Sequence, residues 1–301
     1  MAGCSPLHVR YGAVAELPLL HVSTDDSRWY TPVETPDGPQ VWFVDTGYAR
    51  TTCDDALAAD LGLELGGRTR IRGEAGVTHA RRARLPAMTL GGHALRDVPC
   101  QVRDLGTTSS IRDPVEVAVG GVLGVDVLGR FLVEIDPEAG MMRLFEPADL
   151  PAGDRVRLRL ESRLGPRIEV PVHVDGRRVW MLLDTGADRT YVKGKKARLT
   201  PYAVREGVRV QGTGTGGETR RDLAFYRVDS VDIGSSSIRD MTLIGRTRPW
   251  WSDGLLGLDV LTRLHGWYDL RAREAVFERV REPDLPDWDE WRGDPAVTVG
   301  G

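Results

Sequence analysis

The chain has 301 residues, of which 41% are hydrophobic and 28% charged, and a formal charge of -4. That balance gives no general basis for gripping nucleic acid or an anionic membrane, and no stretch approaches the roughly 18 to 20 apolar residues of a membrane span. The 35 glycines and 18 prolines call instead for many turns between short strands.

In chain order, Met1-Ala2-Gly3-Cys4-Ser5 resembles the end of a bacterial lipoprotein signal. If a natural start lies upstream, Cys4 is a lipid-anchor candidate, which favours the cell envelope or periplasm over the cytoplasm. Residues 1–14 form an N-terminal segment, and a first unit is expected over 15–149. There Asp37-Gly38, a hairpin-closing pair, precedes the apolar strand Trp42-Phe-Val that ends in Asp45-Thr46-Gly47. Asp54 to Leu61 reads as a short helix ended by Gly62. Arg68, Arg70 and Arg72, then Arg82 and Arg84, recur with period two and put positive charge on one face of a hairpin. That face is either simply solvated or selective for acidic substrate segments. Leu90-Gly-Gly-His-Ala-Leu-Arg-Asp-Val-Pro99 follows, and then Gly121-Val-Leu-Gly-Val-Asp-Val-Leu-Gly-Arg-Phe-Leu-Val-Glu-Ile-Asp136.

A boundary near 148–153 opens a second unit over 150–281. Arg155 to Leu160 alternates cleanly and is expected in a sheet linking the two units. Ile168, Val170, Val172 and Val174 alternate with Glu169, Pro171, His173 and Asp175 as a half-buried strand. Asp175-Gly176 leads into Met181-Leu-Leu-Asp184-Thr185-Gly186. A weaker helix is expected around Lys193 to Ala197. Gly254-Leu-Leu-Gly-Leu-Asp-Val-Leu-Thr-Arg-Leu-His-Gly-Trp-Tyr-Asp269 matches the segment at 121 without a gap, with eight of sixteen positions identical. The tail, 282–301, is proline-rich and acidic, and its Trp288 and Trp291 are expected to dock on the body.

The chain is thus written twice. From the Asp of Asp-Thr-Gly to the last Gly of the later apolar-apolar-Gly motif is 79 residues in one half (45 to 124) and 73 in the other (184 to 257). One Asp-Thr-Gly is a weak signal; two, each ending an apolar strand and each followed at near-equal distance by the same motif, are a strong one. These residues resemble the retropepsin-like and pepsin-like aspartic proteases over about residues 15 to 280. The resemblance implies a mainly β fold: two tandem retropepsin-like β-barrel lobes forming an intramolecular pseudo-dimer, a monomer with one cleft between the lobes. It implies an aspartic endopeptidase acting on a polypeptide in extended conformation, with Asp45 and Asp184 catalytic, without metal or organic cofactor. Thr46 and Thr185 would brace each other across the lobes, and Gly47 and Gly186 would allow close approach. Gly73, Glu74, Ala75 and Gly76, with Gly212, Thr213, Gly214, Thr215 and Gly216, would form two flap tips over the substrate.

The chemistry also stands without the family. Peptide hydrolysis by water needs a base for the attacking water and an acid for the leaving amine. Two carboxylates roughly 3 Å apart resist double ionisation, share one proton and supply both roles. Tyr48, where the family carries a small residue, could crowd Asp45, and it leaves open a peptide-binding or regulatory pseudoprotease that keeps the cleft without turnover. An oligomer with several dyads and a narrowly specific processing protease are further alternatives. Three cysteines in no CxxC pair indicate neither a disulfide framework nor a zinc site, with a Cys53–Cys100 bridge left open. Gly212, Gly214 and Gly217 satisfy GxGxxG, but no amphipathic helix follows, which argues against nucleotide binding. The lack of GxSxG argues against an acyl-enzyme.

Overall fold

The computed structural model of the chain describes residues 7–21, 28–73, 76–105, 119–161, 167–211, 218–245 and 252–280. Cys4, Glu74, Ala75, Gly212 to Gly216 and the tail from 282 lie outside the described residues.

The first half runs β1 (His8–Arg10), β2 (Ala15–Pro18), β3 (Tyr30–Thr35), β4 (Gly38–Val44), β5 (Thr52–Asp54), α1 (Asp55–Asp60), β6 (Arg68–Gly73), β7 (Gly76–Leu90), β8 (His93–Arg103), β9 (Val119–Leu123), α2 (Val125–Leu128), β10 (Leu132–Asp136) and β11 (Met141–Phe145). The second runs β12 (Arg155–Arg157), β13 (Arg159–Glu161), β14 (Arg167–Val174), β15 (Arg177–Leu183), β16 (Tyr191–Val192), α3 (Gly194–Ala197), β17 (Ala203–Gln211), β18 (Glu218–Ile233), β19 (Ser236–Gly245), β20 (Gly254–Leu256), α4 (Leu258–Leu261), β21 (Leu264–Asp269) and β22 (Glu274–Arg279).

The fold is mainly β, with two closed six-stranded barrels. In the first, β8, β5, β9, β4, β3 and β7 lie side by side and β7 pairs back onto β8. In the second, β14, β15, β20, β16, β19 and β18 do the same, with β18 closing onto β14. Closure removes most sheet edges. A third sheet, in the order β12-β22-β21-β10-β11-β2, fastens the halves together and reads alike from either end. At its centre β10 of one half pairs antiparallel with β21 of the other, Leu132 opposite Asp269 and Ile135 opposite Gly266.

The alternating run at 155–160 therefore serves two sheets. Arg155–Arg157 pairs with β22 in the linking sheet, while Arg159–Glu161 pairs with β14 in the second barrel. The chain changes sheets at buried Leu158, whose N–H donates to Arg273 O at 2.8 Å. The alternation of β14 also has an exception. Glu169 is buried although it lies on the face opposite the apolar residues, where it accepts from Arg159 at 2.6 Å, an ionic partner such a carboxylate requires. Of the two Asp-Gly pairs only Asp175-Gly176 fills both turn positions, with φ of 47° and 73°. In the first hairpin the turn is Pro36-Asp37, and Gly38 already pairs with Thr35 in the ladder.

Helix α1 is capped as the sequence suggests, Asp54 accepting from Ala56 N at 3.1 Å, with Gly62 in the left-handed region just beyond. Its counterpart α3 has only four residues and no side-chain cap. The β6–β7 register sets Arg68 opposite Arg81 and Arg70 opposite His79. Since cross-strand partners share a face, the cationic face is Arg68, Arg70 and Arg81, and Arg82 falls on the other one. Arg84 lies further along β7, where it donates to Asp97 O. Cys53 and Cys100 are free and buried, and a hydrogen bond between the two thiols is the main reason that Cys53 titrates well above its usual range.

Candidate active site

Each Asp-Thr-Gly is delivered by a central barrel strand. β4 and β15 lie between a hairpin partner and a parallel strand, Phe43 opposite Val122 in one half and Leu182 opposite Leu255 in the other. The parallel strand also holds the following loop: Asp45 N donates to Leu123 O and Asp184 N to Leu256 O, both at 3.1 Å. Apolar strands buried on both faces, with Trp42, Phe43 and Val44 or Met181, Leu182 and Leu183 at 2% exposure or less, fix these loops rigidly.

The two loops meet. Thr46 N donates to Thr185 Oγ1 at 3.0 Å, and Thr185 N donates to Thr46 Oγ1 at 3.0 Å. Each hydroxyl in turn donates to the other half's backbone, Thr46 Oγ1 to Leu183 O at 2.9 Å and Thr185 Oγ1 to Val44 O at 2.7 Å. Four hydrogen bonds thus relate the halves by a two-fold exchange between buried threonines, where an unmade bond is costly. The glycines let the loops close this far. A Cβ on Gly47 would collide with the Asp184 carboxylate, and one on Gly186 would stand 2.6 Å from Asp45 Cγ.

Asp45 and Asp184 are brought together, joined by a side-chain hydrogen bond. Burial, and then the charge of Asp184, hold the Asp45 carboxyl well above the usual carboxylate range. Burial likewise pushes Asp184 up to about 6, opposed by the Gly186 N–H, which donates to its Oδ1 at 2.9 Å, and by the Arg167 cation. Two buried, hydrogen-bonded carboxyls with raised affinities for protons form a pair that holds a proton between them.

Two family models match this chain: one described as an aspartyl protease over residues 31–127, another as a gag-polyprotein putative aspartyl protease over residues 170–263. The chain belongs to the retropepsin-like aspartic protease family. The matches begin 139 residues apart (170 − 31), the same separation as between Thr46 and Thr185, so each half is one domain of this protease family. Comparison with curated proteins gave no match.

In this aspartic protease framework the stems of the two hairpins are ordered as antiparallel pairs, Gly73 opposite Gly76 and Gln211 opposite Glu218. Tyr48 does not fill the dyad. Its ring packs with Tyr30, Phe43, Leu105, Val119 and Val122, its hydroxyl bonds the Thr52 side chain, and Arg103 lies 5.9 Å from the ring centroid.

Three features were not singled out in the sequence. Asp126 and Asp259, identical positions of the repeat, hold the loops from behind. Thr51 N and Oγ1 donate to Asp126 Oδ1 at 2.7 and 2.8 Å. Thr190 N and Oγ1 donate to the Asp259 carboxylate at 3.0 and 2.5 Å. Each threonine hydroxyl also accepts the N–H of the later motif's glycine, Gly124 or Gly257, at 3.2 and 3.0 Å. The signal was available, because both threonines stand six residues after the dyad Asp. Arg167, whose charge lowers the proton affinity of both carboxyls, repeats Arg28 at the 139-residue separation (167 − 28). Replacing Asp259 with Ala strands two buried donors on Thr190, so a loss of about 3 kcal/mol is expected, readable as a lower midpoint in urea denaturation.

Among the described residues two groups bring potential metal-ligating atoms together, Glu134 with Asp136 and His265, and Asp54 with Asp55 and Asp104. The first is already engaged within the protein: Arg143 lies 3.1 Å from Glu134 and 3.6 Å from Asp136, and His265 Nε2 lies 2.7 Å from Glu134. In the second, Asp54 already caps α1 and accepts from Leu105 N. Neither includes a dyad carboxyl.

Proposed function

We propose that the chain is an aspartic endopeptidase that hydrolyses peptide bonds with a water activated by the Asp45/Asp184 dyad. One observation carries this reading: two buried carboxyls, one from each half, hydrogen-bonded to each other and clamped by the Thr46/Thr185 exchange. Buried Asp45 Oδ1 has no hydrogen-bond partner among the described residues, and an oxygen acceptor there suits a water or the hydroxyls of a hydrated carbonyl. The ionised carboxyl takes a proton from the water as the water oxygen bonds to the scissile carbon. The protonated carboxyl gives its proton to the carbonyl oxygen. The resulting gem-diol then collapses as the C–N bond breaks, the amine leaving with a proton from the dyad. Preorganisation by the interlobe hydrogen bonds supplies the positioning that this step requires.

The β6–β7 and β17–β18 hairpins act as flaps that hold an extended peptide by main-chain hydrogen bonds and exclude water. One chain supplies both halves of the site, so the working form is a monomer. The packing of the Tyr48 ring against the apolar cluster of Tyr30, Phe43 and Val122 favours turnover over a binding-only cleft.

The pH dependence follows from the dyad. Burial raises both carboxyls, Asp184 to about 6 and Asp45 well above its ordinary range, so the doubly protonated pair, which lacks a base, gives way to the singly protonated one around pH 6 rather than near 3.8. Cleavage should therefore rise through pH 6 on the acid side. Stability moves the other way. Both groups bind protons more tightly when folded than at the ordinary value of 3.8, so their contribution is full below pH 3.8 and is lost as pH rises through 6. A pH series of peptide cleavage and of urea midpoints tests this. A cleavage maximum near pH 3 with no activity at pH 7 would contradict it.

A further inference from the structure

The first half brings its two described cysteines together. Strands β5 and β8 run parallel with Cys53 beside Val102, and side chains two apart along a strand share a face. Cys100 therefore stands on the same face as Val102, diagonally across from Cys53. Both thiols are buried in the same apolar core, at 0% and 5% exposure, and they are hydrogen-bonded to each other.

The repeat shows that packing alone does not call for sulfur there. In the second half β16 and β19 pair in the same register, Tyr191 beside Ile244 where β5 and β8 set Thr52 beside Gln101. Val192 and Leu243 then fill the places of Cys53 and Cys100, and both are fully buried. An apolar pair serves that half, whereas the first carries two thiols in contact that lie 47 residues apart in the chain (100 − 53).

The geometry points to Cys53 and Cys100 as a disulfide site that fastens β5 to β8 when the chain folds in the presence of a small disulfide such as oxidised glutathione. One cysteine thiolate attacks a sulfur of glutathione disulfide, forming a mixed disulfide and releasing one glutathione thiolate. The other cysteine thiolate attacks the protein sulfur of that adduct, the cysteine–cysteine bond forms, and the second glutathione leaves. Two protein thiols are oxidised, and one glutathione disulfide becomes two thiols, which take up the two protons. Thiols with almost no exposed surface are out of reach of glutathione in the folded chain. Cys53 also holds its proton more tightly than an ordinary thiol, through the hydrogen bond to Cys100 and burial, which makes it a poor nucleophile there. The exchange therefore belongs to folding, before the first barrel closes. Once formed, the link ties down the strand whose Thr51 bonds Asp126 and Gly124 behind the Asp45 loop.

The full chain, unfolded in urea with reductant and refolded either in a glutathione redox buffer or in dithiothreitol, reads this out. After blocking of free thiols and digestion, mass spectrometry should find the Cys53 and Cys100 peptides joined in the first sample and separate in the second. The joined form should melt higher by about 5 °C or more, as expected of a link closing a loop of this length. Protein folded in the reduced state and only then given the glutathione buffer should keep both thiols. Cys53→Val and Cys100→Leu, which copy the second half, should remove the dependence of melting on the buffer; should either fail to fold, the peptide linkage in the wild type decides. None of these readouts needs cleavage, so they stand apart from the endopeptidase reading. Cys53 and Cys100 both free after oxidative refolding, either one joined to Cys4 instead, a joined form that melts no higher than the reduced one, or prompt closure in the folded reduced protein would overturn the assignment.

Discussion

Asp45→Asn and Asp184→Asn are each expected to lower peptide cleavage by at least about a thousandfold while leaving the melting temperature unchanged or higher. Asparagine keeps the size and the acceptor oxygen of the carboxyl, so the Gly186 N–H and the interlobe hydrogen bonds keep their partners. What it removes is the proton held between Asp45 and Asp184, and with it the paired base and acid. Stability does not suffer, because burial already penalises the ionised form of both groups, Asp45 most strongly, and a neutral amide escapes that penalty at neutral pH. Cleavage followed by mass spectrometry, beside thermal unfolding by circular dichroism, measures both. Full turnover by either single variant would show that the carboxyls do not act as a unit.

Thr46→Val and Thr185→Val are expected to do the opposite: a loss of about 2 to 5 kcal/mol in stability each, with cleavage reduced about a hundredfold. Valine matches the shape of threonine but cannot accept from the facing N–H or donate to the facing carbonyl. Each substitution therefore strands one buried donor and one buried acceptor, at roughly 1 to 3 kcal/mol apiece. The partners lie in the other half, Thr185 N and Leu183 O for Thr46, and Thr46 N and Val44 O for Thr185. The loss should thus appear as loosened docking of the halves as well as a lower urea midpoint. A displacement of the dyad by even an ångström is costly to a pre-positioned site. Unchanged stability in both variants would mean that the linking sheet alone holds the halves together.

The catalytic strands, the α1 helix and the repeat were legible because local rules decide them: apolar runs before Asp-Thr-Gly, a capped start at Asp54, and glycine at Gly62. What escaped depends on register and on distance along the chain. The arginine stripe on β6 and β7 was assigned to one face from spacing within each strand, yet the turn between them fixes which residues face each other, and Arg81 rather than Arg82 meets Arg68. The run at 155–160 reads as one strand because alternation carries no information about which sheet receives it. Thr51, Thr190, Asp126 and Asp259 were visible as repeated residues, but the link between a loop and a helix more than 60 residues later exists only once the barrel closes. Tyr48 reads as an obstacle to Asp45 from sequence neighbourhood alone. In the fold its ring packs against the apolar cluster of Tyr30, Phe43, Leu105, Val119 and Val122, a placement that exists only once the barrel closes.

The central claim is that both carboxyls of one chain make one hydrolytic site. Its most direct test digests a peptide library with the wild type and, in parallel, with an equimolar mixture of Asp45→Asn and Asp184→Asn chains. The account predicts cleavage by the wild type and none by the mixture. A wild type that cuts nothing, or a mixture that recovers activity by pairing halves from different chains, would contradict it.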